Sequence, residues 1–247
     1  MIEFRQLSKS FGTNHVLKGI DLTIRDGEIT YVIGTSGTGK SVLVKHIVGL
    51  LYPDSGRIVI DGNDVTDYSE SRWREVRSNY VLVFQHSTLF DSMTLRQNVA
   101  LPLRKHKGLS RRDSFERAMD FLRTVGMDEK ADRMPSDVGP PERKRVAIAR
   151  ALTLEPDCAI LDEPTTGLDV VASGNVDQMI DHLGRELNKT VIVVSHDLRS
   201  IFGVADRIIF LYNGLVRLDG PPEAFRSSDD PVVQQFIRGE PTGPMET

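Results

Sequence analysis

The stretch GTSGTGKS, at residues 34–41, combines the residue types that bind nucleotide phosphates. It follows the apolar run ITYVI and precedes SVLVKHIVGLL, which has helical periodicity, so it fits a phosphate-binding loop between a strand and a helix. Glycines let the backbone fold around phosphate oxygens, and N–H groups at the helix start face the anion. The lysine would reach the β- and γ-phosphates, and the serine hydroxyl would bind Mg²⁺. The predicted phosphate-binding residues are Gly34, Thr35, Ser36, Gly37, Thr38, Gly39, Lys40 and Ser41.

Two carboxylates, Asp162 and Glu163, follow the apolar run CAIL. Ligands of open α/β sheets bind at the carboxyl ends of the strands, which is where this pair would lie. Asp162 is predicted to bind Mg²⁺, and Glu163 to polarise an attacking water as general base. An Asp-Glu pair can also simply end a strand, but the phosphate-binding loop upstream favours the catalytic interpretation.

Three further side chains are candidates because of where they fall. His196 follows TVIVVS and Gln85 follows YVLVF, so both would lie at the same sheet edge, and Phe11 could stack on adenine. Taken alone, each is more often structural, as a strand-end imidazole, a strand-end amide and a core aromatic; the neighbouring motifs favour the functional interpretation. The predicted catalytic residues are Glu163, His196 and Gln85, and the predicted metal ligands are Ser41, Gln85 and Asp162.

The elements that must position these residues alternate between apolar strands and helical stretches from residue 28 onward. This alternation indicates an α/β fold with a parallel sheet covered on both faces. Shorter alternating segments before residue 28 indicate antiparallel strands, and RIIFLYNGLVRLDG indicates a hairpin on an Asn-Gly turn. Residues 86–155 read as a helical subdomain inserted into a core of residues 1–85 and 156–225. Residues 226–247 are predicted to form a C-terminal helix and a flexible tail.

Composition limits the classes of partner. Net charge is −4, from 31 basic and 35 acidic residues, which gives no reason to expect nucleic-acid binding. The lone cysteine, Cys158, lies in an apolar run and predicts a buried thiol in a reducing compartment. The start of the chain lacks the apolar region of a signal peptide, and no apolar run reaches the roughly 18 residues of a membrane span. We therefore expect a cytoplasmic protein that needs other chains to act at a membrane.

These motifs, in this order, resemble the ATP-binding subunits of ABC transporters over nearly the whole chain. The resemblance implies ATP and Mg²⁺ as cofactors. It also implies a P-loop NTPase (RecA-like) core with an N-terminal antiparallel β subdomain and an inserted α-helical subdomain, within an ABC domain of residues 1–240. The family motifs fall on Phe11 (adenine-stacking loop), Gly34–Ser41 (Walker A), Gln85 (Q-loop), Asp162 and Glu163 (Walker B), Thr165–Asp169 (D-loop) and His196 (switch histidine).

A narrower resemblance, to the Mla/Mkl group of ATPases that serve Mce-type lipid transporters, rests on three segments. It implies a homodimer of ATPase subunits beneath a permease dimer, on the inner face of the cytoplasmic membrane. An Mce-domain protein and often a STAS-domain protein would join them, and the substrate would be phospholipid or a related lipid that this chain does not itself contact. The segments are GKSVLVKHIVGLLYPDSG, FQHSTLFDSMTLRQNVALPLR and SDDPVVQQFIRGEPTGP.

One segment departs from the family pattern. Val138–Glu142, VGPPE, occupies the place of the signature Leu-Ser-Gly-Gly-Gln, whose hydroxyl and N–H groups bind the γ-phosphate held by the partner subunit. Gly139 lacks the hydroxyl, and Pro140 and Pro141 have no N–H to donate. Each lost hydrogen bond to a charged group is worth about 1.5–3 kcal/mol. The residues expected to face the partner's nucleotide are Gly139, Pro140, Pro141 and Asp169.

Three explanations of this segment remain open: a natural degenerate signature, an altered or misread segment, or a loop with other phosphate donors. Because proline is tolerated in the first helical turn, the helix after it is still expected to form. The sequence thus favours an ATPase subunit of a lipid transporter, with a hydrolysis-impaired structural or regulatory subunit as the alternative. Soluble ABC proteins of DNA repair or translation, and P-loop kinases, fit the motifs less well.

Overall fold

A computed structural model describes residues 1–85 and 88–245 of the chain. Its strands form a four-stranded antiparallel sheet, in the order β2-β1-β4-β5, and a six-stranded sheet, in the order β10-β9-β3-β8-β7-β6. The strands are β1 Ile2–Phe11, β2 Asn14–Ile24, β3 Ile29–Ile33, β4 Ser55–Ile60, β5 Asn63–Asp64, β6 Tyr80–Val83, β7 Cys158–Asp162, β8 Thr190–Val194, β9 Arg207–Tyr212 and β10 Leu215–Gly220.

Helices connect the strands, and short 3₁₀ turns at Asp128–Lys130 and Pro135–Asp137 lie among them. The helix that follows β7 continues as a π-helical segment, His182–Glu186. Within the described ranges, no helix has both the length and the apolar character that crossing a membrane requires. The helices are α1 Lys40–Ile47, α2 Glu70–Asn79, α3 Leu95–His106, α4 Arg111–Thr124, α5 Pro140–Leu152, α6 Val170–Asp181, α7 Leu198–Val204, α8 Pro222–Arg226 and α9 Pro231–Arg238.

The larger sheet is parallel from β9 through β6, and only its edge strand β10 runs antiparallel. Neighbouring residues of its strands point to opposite faces, and both faces are buried. Tyr31 and Ile33 of β3 belong to one apolar cluster and Val32 belongs to the other, as Leu161 and Ile160 do on β7. The predicted α/β fold with a sheet covered on both faces is confirmed.

Different elements cover the two faces. The antiparallel sheet, α1 and α2 pack on one face, where Phe4, Leu43 and Trp73 join its cluster. Helices α6 and α7 and the α3–α5 segment pack on the other face, through residues such as Ile180 and Ile148.

In the sequence, helices α3, α4 and α5 come between β6 and β7. They pack against one another, and the bounds of the helical subdomain stay a prediction. Residues 86 and 87, where the insertion is predicted to begin, lie outside the described residues. The segment after them is attached to α3 by the buried side chain of Asn98. Its Oδ1 accepts from the Phe90 N–H at 2.7 Å, and its Nδ2 donates to the Phe90 carbonyl at 3.0 Å.

The C-terminal part contains the predicted hairpin and a packed tail. Asn213 and Gly214 join β9 to β10 with φ of 51° and 79°, as a type I′ turn requires. Residues 239–245, expected from sequence to be flexible, turn back on α9. The Met245 N–H donates to the Gln235 side chain at 2.7 Å, and the Met245 side chain is buried in the helical-face cluster. Residues 246 and 247 are outside the described ranges.

Replacing Ile209 with alanine tests the importance of the covered sheet. Ile209 is fully buried on β9 between β3 and β10, so Ile209→Ala is expected to lower the free energy of unfolding by about 2–5 kcal/mol. Leu215→Ala is the matched control, because Leu215 is 49% exposed at the start of β10, and it should cost less than about 1 kcal/mol. Urea unfolding followed by circular dichroism measures both. Equal effects would contradict this account of the core.

Candidate nucleotide-binding and catalytic site

The loop between β3 and α1 has a conformation that requires glycine at its two ends. Gly34 has φ of 147°, and a Cβ there would lie 2.3 Å from the Leu211 carbonyl oxygen. Gly39 has φ of 98°, and a Cβ there would lie 2.8 Å from the Leu17 side chain. The loop is therefore fitted closely against β9 and β2, and α1 begins directly after it, with its N–H groups directed into the loop.

The side chain of Lys40 curls back over this loop. Its Nζ donates to the carbonyl oxygens of Gly34 and Thr35, both at 2.8 Å, and the residue is only 8% exposed. Burial lowers the pKa of Lys40, and the nearby carboxylates of Glu163 and Asp162 oppose that shift. The ammonium is thus held at the loop, where it can exchange carbonyl partners for phosphate oxygens.

Ser41 and Asp162 form the oxygen pair expected at a Mg²⁺ site. The Ser41 hydroxyl donates to Asp162 Oδ1 at 3.0 Å, so the first residues of α1 and the end of β7 meet. Burial raises the pKa of Asp162, and the Ser41 hydrogen bond counteracts the rise. Mg²⁺ favours one or two carboxylates completed by water and phosphate oxygens, so this pair fits that ion. Gln85 lies exposed beyond the end of β6, and its role as a ligand remains a prediction.

Glu163 is held from several sides. Its φ is 52°, its N–H donates to the Val194 carbonyl at 2.9 Å, and its side chain is 12% exposed. The carboxylate accepts from the Thr166 hydroxyl at 2.9 Å, and His196 Nδ1 lies 2.8 Å from the same oxygen, Oε2. The structure therefore brings together the predicted base and the predicted switch histidine. A carboxylate fixed in this way is suited to orienting a water beside the γ-phosphate.

Two other predicted contacts lie at the edges of the site. Phe11, at the end of β1, is 49% exposed, and Lys9 Nζ lies 5.7 Å from its ring centroid, so the ring is open to stacking. Asp169 caps α6, because its Oδ1 accepts from the N–H groups of Val171 and Ala172, both at 2.9 Å. Their contacts with adenine and with a partner's nucleotide remain predictions.

The signature segment is short of hydrogen-bond donors. Helix α5 begins at Pro140, as proline in the first turn permits, and neither Pro140 nor Pro141 supplies an N–H. The Gly139 N–H donates to Glu142 Oε2 at 3.0 Å and is thereby occupied. Glu142 is also paired with Lys130, whose hydrogen bond lowers the pKa of Glu142 and keeps it negatively charged. A carboxylate thus stands at the helix start where a phosphate would need donors.

Sequence reasoning did not single out Lys144, whose Nζ donates to the Glu163 carbonyl at 2.6 Å and to the Thr166 carbonyl at 3.4 Å. A signal was present in the helical periodicity. Lys144 precedes Ala147, Ile148 and Ala151 at intervals of three, four and seven, so a charged residue lies on the apolar stripe of α5.

Comparison with known proteins gives a consistent result. The sequence profile described as "ABC transporter" matches residues 17–166. The "Probable ribonucleotide transport ATP-binding protein mkl" of Mycobacterium tuberculosis is 36% identical over 244 residues, which cover 99% of this chain and 68% of that protein. The "Methionine import ATP-binding protein MetN" of Brucella abortus is 34% identical over 239 residues, covering 96% and 64%.

Solved structures agree in fold. A dimeric ATP-binding cassette in a post-hydrolysis state with ADP and Pi superposes with a TM-score of 0.84 at 30% identity, covering 90% of this chain and 99% of that one. The cbiO1 protein of Clostridium perfringens, part of the ABC transporter complex cbiONQ, gives 0.82 at 31% identity, covering 92% and 90%.

Removing the Ser41 hydroxyl tests the Mg²⁺ site. Ser41→Ala is expected to weaken Mg²⁺-dependent ATP binding on the order of 10-fold, because one hydrogen-bonding oxygen ligand is lost. ATP binding in EDTA should change much less. Calorimetric titrations with and without Mg²⁺ measure both, and Ser110→Ala, on the helical insertion, is the control. Combining Ser41→Ala with Asp162→Asn should be less than additive, and full additivity would argue against a shared ion.

Proposed function

The chain belongs to the family of ABC transporter ATP-binding proteins, and we propose that it binds and hydrolyses ATP as a homodimer beneath a permease dimer. The cassettes of this family bind ATP with Mg²⁺, form dimers and work with membrane permeases. In this proposal the chain is held at the inner face of the cytoplasmic membrane by the permease. ATP binding closes the dimer, and hydrolysis reopens it.

The observation that carries this proposal is the fixed carboxylate of Glu163 beside the phosphate-binding loop. The Lys40 ammonium would bind the phosphates, and the paired oxygens of Ser41 and Asp162 would hold Mg²⁺, which would supply positive charge against the negative charge that develops on the phosphate. Glu163 then accepts the proton of the attacking water while His196 and the Thr166 hydroxyl keep its carboxylate in place. A carboxylate held in this way favours turnover over nucleotide binding alone.

A second candidate function, a subunit that binds ATP without efficient turnover, is favoured by the signature segment. In a homodimer each nucleotide would meet the α5 start of the other subunit, which offers two prolines, an occupied Gly139 N–H and the charged Glu142. Two missing hydrogen bonds per site, at about 1.5–3 kcal/mol each, would leave the closed dimer weakly populated. We therefore propose that the small population of the closed dimer lowers the rate of hydrolysis.

For the transported substrate we propose phospholipid or a related lipid, moved by a permease that works with an Mce-domain and a STAS-domain protein. The support is the resemblance of three sequence segments to the Mla/Mkl group, together with the similarity of 99% of this chain to the mycobacterial mkl proteins. The names of the relatives refer to ribonucleotide transport and to methionine import, so these are the competing substrates.

Substitutions in the signature segment test whether its missing donors slow ATP hydrolysis. The triple variant Gly139→Ser, Pro140→Gly, Pro141→Gly regains a hydroxyl and two N–H donors, and it should hydrolyse Mg-ATP at least about 10-fold faster than the native chain. Phosphate release by the purified chain in complex with its permease is the measurement. Glu163→Gln in either background should abolish turnover and provides the baseline.

Equal rates for the native and triple-variant chains would mean that other groups bind the γ-phosphate. Residual turnover in Glu163→Gln equal to that of its parent would contradict the proposed base.

The transport substrate is tested in the complex of this chain with its permease and accessory proteins in vesicles. Fluorescent phospholipid should be transferred between vesicles in the presence of Mg-ATP, and the ATPase rate should rise with phospholipid supply. The same complex with Glu163→Gln is the control and should transfer none. Stimulation by ribonucleotide or methionine without any response to lipid would contradict the lipid proposal.

A further inference from the structure

A buried lysine of α5 contacts the backbone turn that carries the proposed base. Lys144 is only 5% exposed, and its Nζ donates to the Glu163 carbonyl at 2.6 Å and to the Thr166 carbonyl at 3.4 Å. The ammonium is therefore satisfied by carbonyl oxygens on a single turn of backbone.

Burying a charged ammonium is energetically unfavourable for a contact that is purely structural. Ala147, Ile148 and Ala151 occupy the same stripe of α5, so an aliphatic side chain at position 144 would continue its apolar packing. Burial lowers the pKa of Lys144, and the charges of Glu163 and Asp162 oppose the shift. A buried cation is retained at lower cost where it interacts favourably with neighbouring groups, here two carbonyl dipoles and the adjacent carboxylates.

The contacted turn has an unusual backbone. Glu163 has φ of 52°, a region that residues other than glycine rarely occupy. Its carbonyl accepts from the Thr166 N–H at 3.4 Å as well as from Lys144, and the Thr166 hydroxyl donates to its carboxylate at 2.9 Å. The orientation of the Glu163 carboxylate thus depends on a turn whose carbonyl oxygens accept hydrogen bonds from Lys144.

We propose that Lys144 is a positioning residue for Glu163. Through this contact the orientation of the base depends on helix α5. The proposal rests on the proposed function for its consequence, because the reacting group it positions is the general base. Helix α5 begins at the signature segment, so this contact connects that segment to Glu163 within the same subunit.

Variants of Lys144 separate positioning from stability. Lys144→Met keeps the length of the side chain and removes its charge and donors, and Lys144→Leu, which also lacks donors, is a second variant in case the first does not fold. Either should lower kcat roughly 10- to 100-fold while changing the dissociation constant for ATP by less than about threefold. Lys144→Arg, which retains charge and donors, should keep most of the turnover. Lys107→Met, at the exposed end of α3, is the matched control.

Hydrogen exchange gives a readout that does not depend on turnover. The amides of residues 163–169 should exchange faster in Lys144→Met than in the native chain, whereas those of β3 and α1 should not. Unchanged exchange together with unchanged kcat would overturn the proposal, as would equal losses of ATP binding and kcat. If the native chain hydrolysed no ATP, the proposed function would fail, and the exchange pattern would still decide whether Lys144 holds the turn.

Discussion

The register of the parallel strands is the constraint on which the whole site depends. Val194 of β8 pairs with Val32 of β3 on one side and with Asp162 of β7 on the other. The phosphate-binding loop, the two carboxylates and His196 therefore emerge from three neighbouring strands at the same level. If one strand shifted by one residue relative to its neighbour, its side chains would point to the opposite face of the sheet. The functional groups at the strand ends would then no longer lie together.

Burial shifts the pKa values of the charged side chains at the carboxyl edge of the parallel sheet. Lys40 and Lys144 are both buried beside Asp162 and Glu163, so each sign of charge is stabilised by the other in place of water. Burial pulls the pKa of the lysines down and that of Asp162 up, while their mutual attraction opposes both shifts. The two lysines serve different partners: Lys40 lies over the loop that faces phosphate, and Lys144 lies under the turn that carries the base.

Sequence predicted those features that are encoded locally. The phosphate-binding loop, the strand-end carboxylates and the presence of a helix after the two prolines each follow from a short contiguous pattern. Contacts between distant segments were missed: Lys144 meets Glu163 only because α5 packs beneath the end of β7. The use of the Gly139 N–H by Glu142 and the packing of Met245 on Gln235 depend on side-chain geometry, which periodicity does not reveal.

We propose that this chain holds the phosphate-binding and metal-binding side chains of its own site in place, whereas the surface it would offer to a partner lacks hydrogen-bond donors. Sedimentation equilibrium of the Glu163→Gln chain in saturating Mg-ATP measures the resulting dimerisation, because hydrolysis no longer opens the closed state. We expect a monomer at micromolar concentration, and a dimer once residues 139–141 are replaced by Ser-Gly-Gly. A stable ATP-dependent dimer of Glu163→Gln with its own prolines would contradict it.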